Sequence, residues 1–177
     1  MSKSQFEQLD LWSHEAWSHP KVKWQGNYLD NGFCADCRFC CGPQIGDDPY
    51  PMPLLPTQIK AGAAQHLYLL DQETACLDER GCKALGQRGC TLSRELRPIS
   101  CGLFPLVPCQ GRLYLYWFCP AVLNLPLKVW WQEAKSALTY LESLTLSERR
   151  RLNLSLPKEK VAECLLPLPL FLNLDAD

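Results

Sequence analysis

The sequence predicts a small, irregular, mostly helical α+β domain with a short β-hairpin and cysteine-rich loops organised by metal. The chain has 177 residues, 47% of them hydrophobic and 21% charged, and this composition is typical of a single globular domain. Residues 126–144 carry apolar side chains at helical spacing. Residues 71–104 show no regular spacing of apolar residues. The chain also contains 11 cysteines, several times the ordinary usage. We therefore expect function to lie with the cysteines.

The N-terminal third is expected to begin with a helix. Ser4 and Glu7 match a capping box, which predicts a helix over residues 4–17 within an N-terminal helical lid spanning residues 1–32. Residues 42–56 contain five prolines, and such a segment favours a stiff, extended connector over a helix or a central strand. Thr57 then offers an N-cap for a helix that runs to about Leu70.

Loops and one hairpin are expected in the middle of the chain. Residues 71–104 are rich in cysteine, glycine and charge, which indicates loops shaped by metal rather than by apolar burial. Residues 106–119 then alternate aliphatic and aromatic side chains around Gln110 and Gly111, which predicts a β-hairpin with Pro108 on an edge.

The C-terminal part, residues 121–177, is expected to be helical. Residues 126–144 begin with proline and carry one apolar stripe, which predicts the longest helix of the chain. Thr145 and Glu148 form a second capping box, and Pro157 favours the start of a further helix. With no repeat and no flexible linker, residues 1–177 are expected to form one domain around a metal-binding core at residues 33–120.

Composition also limits the compartment and the partners. The formal net charge is −1, so the chain has no excess of positive charge with which to bind the phosphates of a nucleic acid. Residues 1–20 hold no apolar run typical of a signal peptide, and no apolar stretch is long enough to cross a membrane as a helix. These observations predict a cytoplasmic protein with no membrane partner. Because thiols stay reduced in the cytoplasm, clustered cysteines favour metal ligation over disulfides.

The clearest motif places four cysteines in eight residues, at positions 34, 37, 40 and 41. Two thiols separated by two residues can bind one ion from a tight turn, in zinc sites and in iron–sulfur sites alike. The adjacent side chains of Cys40 and Cys41 are expected to diverge, and this favours two metals, or two irons of a cluster, over a single ion.

A second group of cysteines follows at wider spacing and supplies enough further thiols for two four-coordinate ions, or for one cluster and one ion. The spacing leaves open whether Cys76, Cys82, Cys109 or Cys119 completes the sites. The predicted metal ligands are Cys34, Cys37, Cys40, Cys41, Cys76, Cys82, Cys90, Cys101 and Cys119.

The order of these motifs resembles that of the CxxCxxCC family, also called YkgJ-like or zinc- or iron-chelating proteins. The matching motifs, which cover roughly residues 33–120, are Phe33-Cys34-x-x-Cys37-x-x-Cys40-Cys41, Gly89-Cys90-Thr-Leu and Arg97-Pro98-x-x-Cys101-x-x-Phe104-Pro105. The resemblance implies a metal site of eight cysteines that includes Cys90 and Cys101, takes Cys82 or Cys76 upstream, and matches the pair Cys119-Pro120 to a later family Cys-Pro. Where the family commonly has arginine after the cysteine of the third motif, this chain has Gly102.

Three functions are compatible with these features. The first is a protein that holds zinc or iron, the latter as ions or as an iron–sulfur cluster, for metal handling or electron transfer. The second is a metal-dependent protein-modifying enzyme, because the resemblance extends to the cysteine block of the flagellin lysine-N-methylase. The third is a structural zinc module that binds another protein. Metal ions are the expected ligands in all three, and the sequence leaves open whether the protein is an enzyme.

Overall fold

The structure is a computed structural model that describes residues 22–37, 39–44, 49–87 and 89–175. The helix predicted over residues 4–17 lies outside the described residues. None of the helices in the described ranges is long and apolar enough to cross a membrane.

Helices and strands contribute comparable shares of the described residues, about 37% and 26% respectively, and the strands form four small sheets. The prediction of a mostly helical domain is therefore wrong, and the fold is mixed α+β. Seven of the eight additional strands are only two to four residues long, and four of these seven contain cysteine, glycine or proline. Such short strands show no sustained alternation of apolar and polar residues in the sequence. They form because they pair with distant segments of the chain, and local strand propensity does not determine them.

The helices and strands have the following bounds. The strands are β1 Val22–Gln25, β2 Tyr28–Asn31, β3 Tyr50–Pro53, β4 Tyr68–Leu69, β5 Thr74–Leu77, β6 Leu85–Gly86, β7 Gly89–Cys90, β8 Leu106–Cys109, β9 Arg112–Tyr116 and β10 Leu165–Phe171. The α-helices are α1 Cys34–Cys37, α2 Pro56–Lys60, α3 Ile99–Leu103, α4 Pro120–Asn124, α5 Leu127–Glu142, α6 Leu146–Leu152 and α7 Lys158–Cys164. Two 3₁₀ helices are Ala63–His66 and Arg94–Leu96.

The predicted hairpin is confirmed as β8 and β9, and it belongs to a three-stranded sheet in the order β10-β9-β8. Gln110 and Gly111 both have positive φ, at 49° and 72°, as the tight turn between twisted strands requires. Pro108 lies in the edge strand β8, as predicted. Strand β10, which contains Pro167, forms the other edge, where a missing N–H costs no ladder hydrogen bond.

Helix α5 packs its apolar stripe on this sheet and on the first hairpin. Trp130, Ala134, Ala137 and Leu141 are fully buried in the main core, which confirms the predicted stripe. Thr145 accepts a hydrogen bond from the Glu148 amide, so the predicted capping box at the start of α6 is confirmed as well.

The segment expected to be a helical lid contributes a hairpin instead. Strands β1 and β2 pair across residues 22–31, with Gly26 at φ 68° in the turn. The hairpin lies against α5, where the Trp24 amide donates to a Glu133 carboxylate oxygen at 2.5 Å. A strand of four residues offers only four positions over which apolar and polar residues can alternate. So short an alternation does not distinguish a strand from the helical structure expected for residues 1–32.

A second, smaller core lies between residues 50 and 92. The sheet β3-β5-β4, α3 and the β6–β7 hairpin show that the prediction of irregular loops over residues 71–104 is wrong. The proline-rich β3 pairs only with β5, at an edge that tolerates proline. The helix expected from Thr57 to about Leu70 is divided, because Gly62 takes φ 84° between α2 and a 3₁₀ turn.

Helix α6 ties the two cores together through its arginines. Arg149 donates to the Asn173 carbonyl at 2.7 Å, beyond the end of β10. Arg151 donates to the Leu54 carbonyl at 3.1 Å and pairs with Glu73 at 2.6 Å, both in the second core.

Candidate metal centre

The first four cysteines lie on one turn of helix and the loop that follows it. Cys34 and Cys37 begin and end α1, and the Cys37 amide donates to the Phe33 carbonyl at 3.0 Å. Residues three apart in a helix share a face, so the C-x2-C spacing places both thiols on one side. The chain then turns back through Cys40 and Cys41.

Cys119 joins this group from the turn between β9 and α4. A small pocket is lined by Cys34, Cys37, Cys40, Cys41 and Cys119 together with Phe33, Phe39 and Phe104. Cys119 lies at the N-cap of α4, where the Val122 amide donates to its carbonyl at 2.8 Å. The pair Cys119-Pro120, which the resemblance singles out, therefore places its thiol in the same pocket as the first motif.

Cys82 reaches the group through a close contact between two loops. Its amide donates to the Cys41 carbonyl at 2.9 Å. Gly81 makes this contact possible, because it has φ 73° and a Cβ there would lie 2.8 Å from the Gly42 carbonyl carbon. The backbone amides of Ala84 and Leu85 act to lower the pKa of the Cys82 thiol, but burial outweighs them and raises it.

Cys90 and Cys101 complete a second set with Cys82 and Cys41. Cys90 lies opposite Leu85 in the β6–β7 hairpin, and the Leu85 amide donates to the Cys82 carbonyl at 3.0 Å. Cys101, on α3, interacts electrostatically with Cys41, Cys82 and Cys90. Its sulfur also lies 3.6 Å from the Met52 sulfur, at the boundary of the second core.

Two of the cysteines that the sequence left open have other surroundings. Cys76 is buried in β5, and its thiol faces the Asp78 carboxylate at 3.9 Å beside Arg80. Cys109 is fully buried among apolar side chains of the main sheet. Spacing could not separate Cys76 from Cys82, because the choice depends on the Gly81–Gly42 contact between loops.

The protonation chemistry of the thiols reflects their burial and their mutual proximity. Burial, followed by the charge of Cys119, raises the pKa of Cys34 to about 12. Burial likewise raises the pKa values of Cys82, Cys101 and Cys119. Solvent reaches Cys101, yet protein atoms surround its sulfur closely enough for desolvation to dominate. Most of these thiols thus bind their protons firmly unless a cation replaces them.

Cys40 and Cys41 behave as a pair. Interaction with Cys41, together with burial, raises the pKa of Cys40. The same interaction, helped by the positive charge of Arg97, lowers the pKa of Cys41 to about 7. The expected divergence of the Cys40 and Cys41 side chains stays a prediction.

Arg97 supplies positive charge to both groups of thiols. Its guanidinium lowers the pKa values of Cys34, Cys41 and Cys101, although larger effects outweigh it at Cys34 and Cys101. Its Nε is held by the Leu92 carbonyl at 3.1 Å. Gly102, where the CxxCxxCC pattern commonly has arginine, lies close to the β1–β2 hairpin: a Cβ there would lie 3.2 Å from the Tyr28 Cβ, so a side chain would require Tyr28 to shift.

Comparisons with protein-family models, with curated proteins and with solved structures return no match. The resemblance to the CxxCxxCC family stays a prediction carried by the motifs.

The donor chemistry fits zinc, iron or an iron–sulfur cluster. The metal-ligating side chains that line the pocket are all thiols, and soft thiolates select such metals. Within the described residues, no three cysteine, histidine, aspartate or glutamate side chains are placed closely enough to hold one ion. Bringing four sulfurs onto one ion therefore requires changes of side-chain rotamer, and each cysteine has a single χ1 to rotate.

A larger cavity of about 240 Å³ lies next to Arg97 and contains no thiol. Its lining includes Tyr28, Gln58, Arg94 and Arg97. The Arg94 guanidinium lies 3.4 Å from the Tyr28 ring centroid, and Gln58 is held by the Leu55 amide and the Arg97 carbonyl. The polar groups of this cavity thus hold the backbone that carries Arg97 and Cys101.

Proposed function

We propose that the chain is a metal-binding protein that holds zinc or iron, the latter as ions or in an iron–sulfur cluster, through cysteine thiolates, and that it acts in metal handling or electron transfer. One observation carries the proposal: five thiols, those of Cys34, Cys37, Cys40, Cys41 and Cys119, line one pocket, and the backbone amide of a sixth cysteine, Cys82, is bound to the Cys41 carbonyl beside it. The metal would be the ligand that these cysteines share.

Ordinary burial of cysteine does not explain this gathering. A structural cysteine resembles Cys109, which lies among mainly aliphatic and aromatic side chains with none of its surface exposed. Cys34 is instead reached by solvent while lying beside other thiols and near the Arg97 guanidinium. Thiols that are accessible, clustered and near positive charge are typical of metal ligands.

The chain's own groups would support such a centre in three ways. Arg97 offsets part of the thiolate charge. Backbone amides near Cys82 and Cys119 act to lower the pKa values of these thiols against the larger effect of burial. Phe33, Phe39 and Phe104 line the pocket with apolar surface that limits water. A bound zinc would fix the loops, whereas iron or a cluster would also carry electrons.

The test is purification without oxygen, followed by an absorption spectrum, metal analysis and sulfide analysis on one sample. We expect stoichiometric metal. Brown protein with iron and labile sulfide supports redox or cluster chemistry, and colourless protein with zinc supports metal handling. Protein that stays metal-free after anaerobic incubation with Zn²⁺, and with Fe²⁺ and sulfide, contradicts the proposal.

A second candidate, a zinc module that binds another protein, is favoured by exposed aromatic surface beside the thiols. Phe39 is 54% exposed at the rim of the thiol pocket. Trp117 and Phe118 are 45% and 41% exposed just before Cys119, with ring centroids 4.6 Å apart. Zinc that never exchanges with free chelator, in a protein with no redox activity, favours this candidate over metal handling.

A further inference from the structure

We propose that the cavity beside Arg97 binds a small organic carboxylate, an anion with an apolar body, at a site separate from the thiol pocket. The cavity has a volume of about 240 Å³, and its described lining shares no residue with the thiol pocket. Four segments form its walls: the β1–β2 hairpin, helix α2, residues 94–102 and helix α5. Small-molecule sites are concave and combine apolar lining with a few placed polar groups.

The floor of the cavity is apolar, and the polar side chain there is already paired. Leu55, Pro98 and Ile99 are buried at this floor. Gln58 is also buried; its side-chain oxygen accepts from the Leu55 amide at 3.0 Å, and its side-chain nitrogen donates to the Arg97 carbonyl. An apolar group placed on this floor therefore gains free energy by leaving water and needs no polar partner.

The mouth of the cavity is polar. Asn27, Thr57, Arg94 and Glu95 line it, and all four are exposed to solvent. The lining thus changes from apolar at the floor to polar at the mouth. This change matches a ligand that has an apolar body and one polar end, because a wholly polar ion would leave the floor unused.

Arg94 supplies a positioned charge at the mouth. Its guanidinium carbon lies 3.4 Å from the centroid of the Tyr28 ring, and this stacking holds the planar group in place. Within the described residues its ion-pair partner is Asp30, whose carboxylate oxygen lies 3.6 Å away, too far for a hydrogen bond. A ligand carboxylate can therefore take the paired N–H donors of Arg94 in the bidentate geometry that arginine favours.

The charges of the lining favour a ligand with a single negative charge. Arg94 and Arg97 are positive and Glu95 is negative, so two positive charges less one negative charge leave one positive charge. The Arg97 Nε is already held by the Leu92 carbonyl at 3.1 Å. Arg94 is therefore the residue that we expect to contact the carboxylate.

A ligand in this cavity would lie against the segment that carries Cys101. Residues 97–99 and Gly102 line the cavity on either side of Cys101 in the sequence. Gly102 also packs closely on the β1–β2 hairpin, since a Cβ there would lie 3.2 Å from the Tyr28 Cβ. Binding should therefore restrain helix α3 and slow the exchange of its amide hydrogens.

The experiment is a two-dimensional NMR titration of the full-length, reduced, isotope-labelled protein with benzoate, hexanoate, acetate and benzamide. We expect benzoate and hexanoate to shift the amide signals of Tyr28, Arg94 and residues 97–102 in a saturable way, and to slow amide exchange in α3. Acetate lacks the apolar body and benzamide lacks the charge. Each should bind about tenfold more weakly than benzoate, equivalent to about 1.4 kcal/mol.

Variants of Arg94 test its role. Arg94→Gln should weaken benzoate binding about tenfold, and Arg94→Lys, which keeps the charge but loses the planar donors, should weaken it less. Arg112→Gln is the matched control, because the Arg112 guanidinium also lies over an aromatic ring, 4.4 Å from the Phe171 centroid, but does not line the cavity. It should bind benzoate as the wild type does. The spectrum of each variant also shows that the variant is folded.

Four outcomes would overturn the inference. Equal binding of acetate and benzoate would mean an adventitious ion on Arg94, and equal binding of benzamide would mean that charge is not recognised. Equal weakening in Arg112→Gln and Arg94→Gln would mean that general positive charge attracts the anion. Absence of saturable shifts with millimolar benzoate and hexanoate would mean that the cavity takes no such ligand. None of these outcomes bears on metal content, so the proposed function is tested separately.

Discussion

At the scale of single residues, Gly81 controls the contact between the first cysteine loop and Cys82. Gly81→Ala places a methyl group 2.8 Å from the Gly42 backbone at a φ of 73°. We expect a loss of about 3 kcal/mol in the free energy of unfolding, from overpacking and backbone strain together. Urea unfolding and metal analysis of the purified variant check this, and we expect the metal bound through Cys82 to be lost.

The control for Gly81 is Gly26, which has nearly the same φ, 68°, but has no atom within 4 Å of an added Cβ. Gly26→Ala should lose only about 1 kcal/mol, the cost of left-handed backbone alone, and should keep its metal. Equal losses in the two variants would show that the loop contact does not matter.

Arg97 is the positively charged side chain that acts on thiols of both loops. Arg97→Gln removes this charge, and we expect metal affinity to fall about tenfold, equivalent to about 1.4 kcal/mol. Arg97→Lys keeps the charge but loses the planar donor that the Leu92 carbonyl holds, so its loss should be smaller. Competition with a chromophoric chelator measures both.

Arg94 supplies the control for Arg97, because its guanidinium lies over the Tyr28 ring and 3.6 Å from Asp30. Arg94→Gln should leave metal affinity unchanged. An equal fall in Arg94→Gln and Arg97→Gln would mean that general positive charge, rather than the position of Arg97, assists the thiolates.

Part of the candidate site can be predicted from sequence at this scale. The C-x2-C-x2-C run places its thiols together through local geometry, which depends only on spacing. The choice of Cys82 over Cys76 depends on a contact across some forty residues, and the role of Gly102 depends on Tyr28. No local pattern carries such information.

At the scale of elements, the capping box of α6 offers a test of what local sequence contributes. The Thr145 hydroxyl accepts from the Glu148 amide at 3.3 Å, and Thr145→Ala should lower stability by about 1 kcal/mol. Thr139→Ala is the control, because that exposed hydroxyl donates only to the Lys135 carbonyl within α5, and alanine there should be neutral or stabilising. Thermal unfolding of the two variants compares them.

The elements that sequence predicts well are those with a local cause. Helix α5 follows from its apolar period, α6 from its capping box, and the β8–β9 hairpin from a turn that accepts positive φ. Strand β10 is missed because Leu165–Phe171 contains two prolines and pairs with β9 through an irregular register. Its edge position, which makes the prolines tolerable, is a property of the sheet.

At the scale of the whole molecule, the two cores differ in how much they depend on metal. The main core buries Trp130 and many leucines. The second core buries Met52, Leu54, Leu67 and Leu92, but three of its seven buried members are alanines, and Cys82 and Cys90 pack at its edge. Small side chains bury less apolar surface, so thiolate–metal bonds would supply a larger share of its stability.

Metal removal should therefore loosen one core before the other. We expect chelation to abolish amide hydrogen-exchange protection in β6, β7 and the loop to Cys101, while α5 and the sheet β10-β9-β8 stay protected. Arg151 still joins α6 to the Leu54 carbonyl, so β3 should keep intermediate protection. The measurement is exchange on paired metal-loaded and chelated samples, with Cys76→Ser treated identically as the control.

The alternatives have different physical meanings. Equal loss of protection in both cores would show that metal binding and global folding are one cooperative transition, as in small zinc domains. Unchanged protection everywhere would show that apolar contacts alone hold residues 82–101. Selective loss of protection in the second core is the expected result. It would mean that the main core holds a mobile set of thiols in place. Metal exchange would then cost only the free energy of opening the second core.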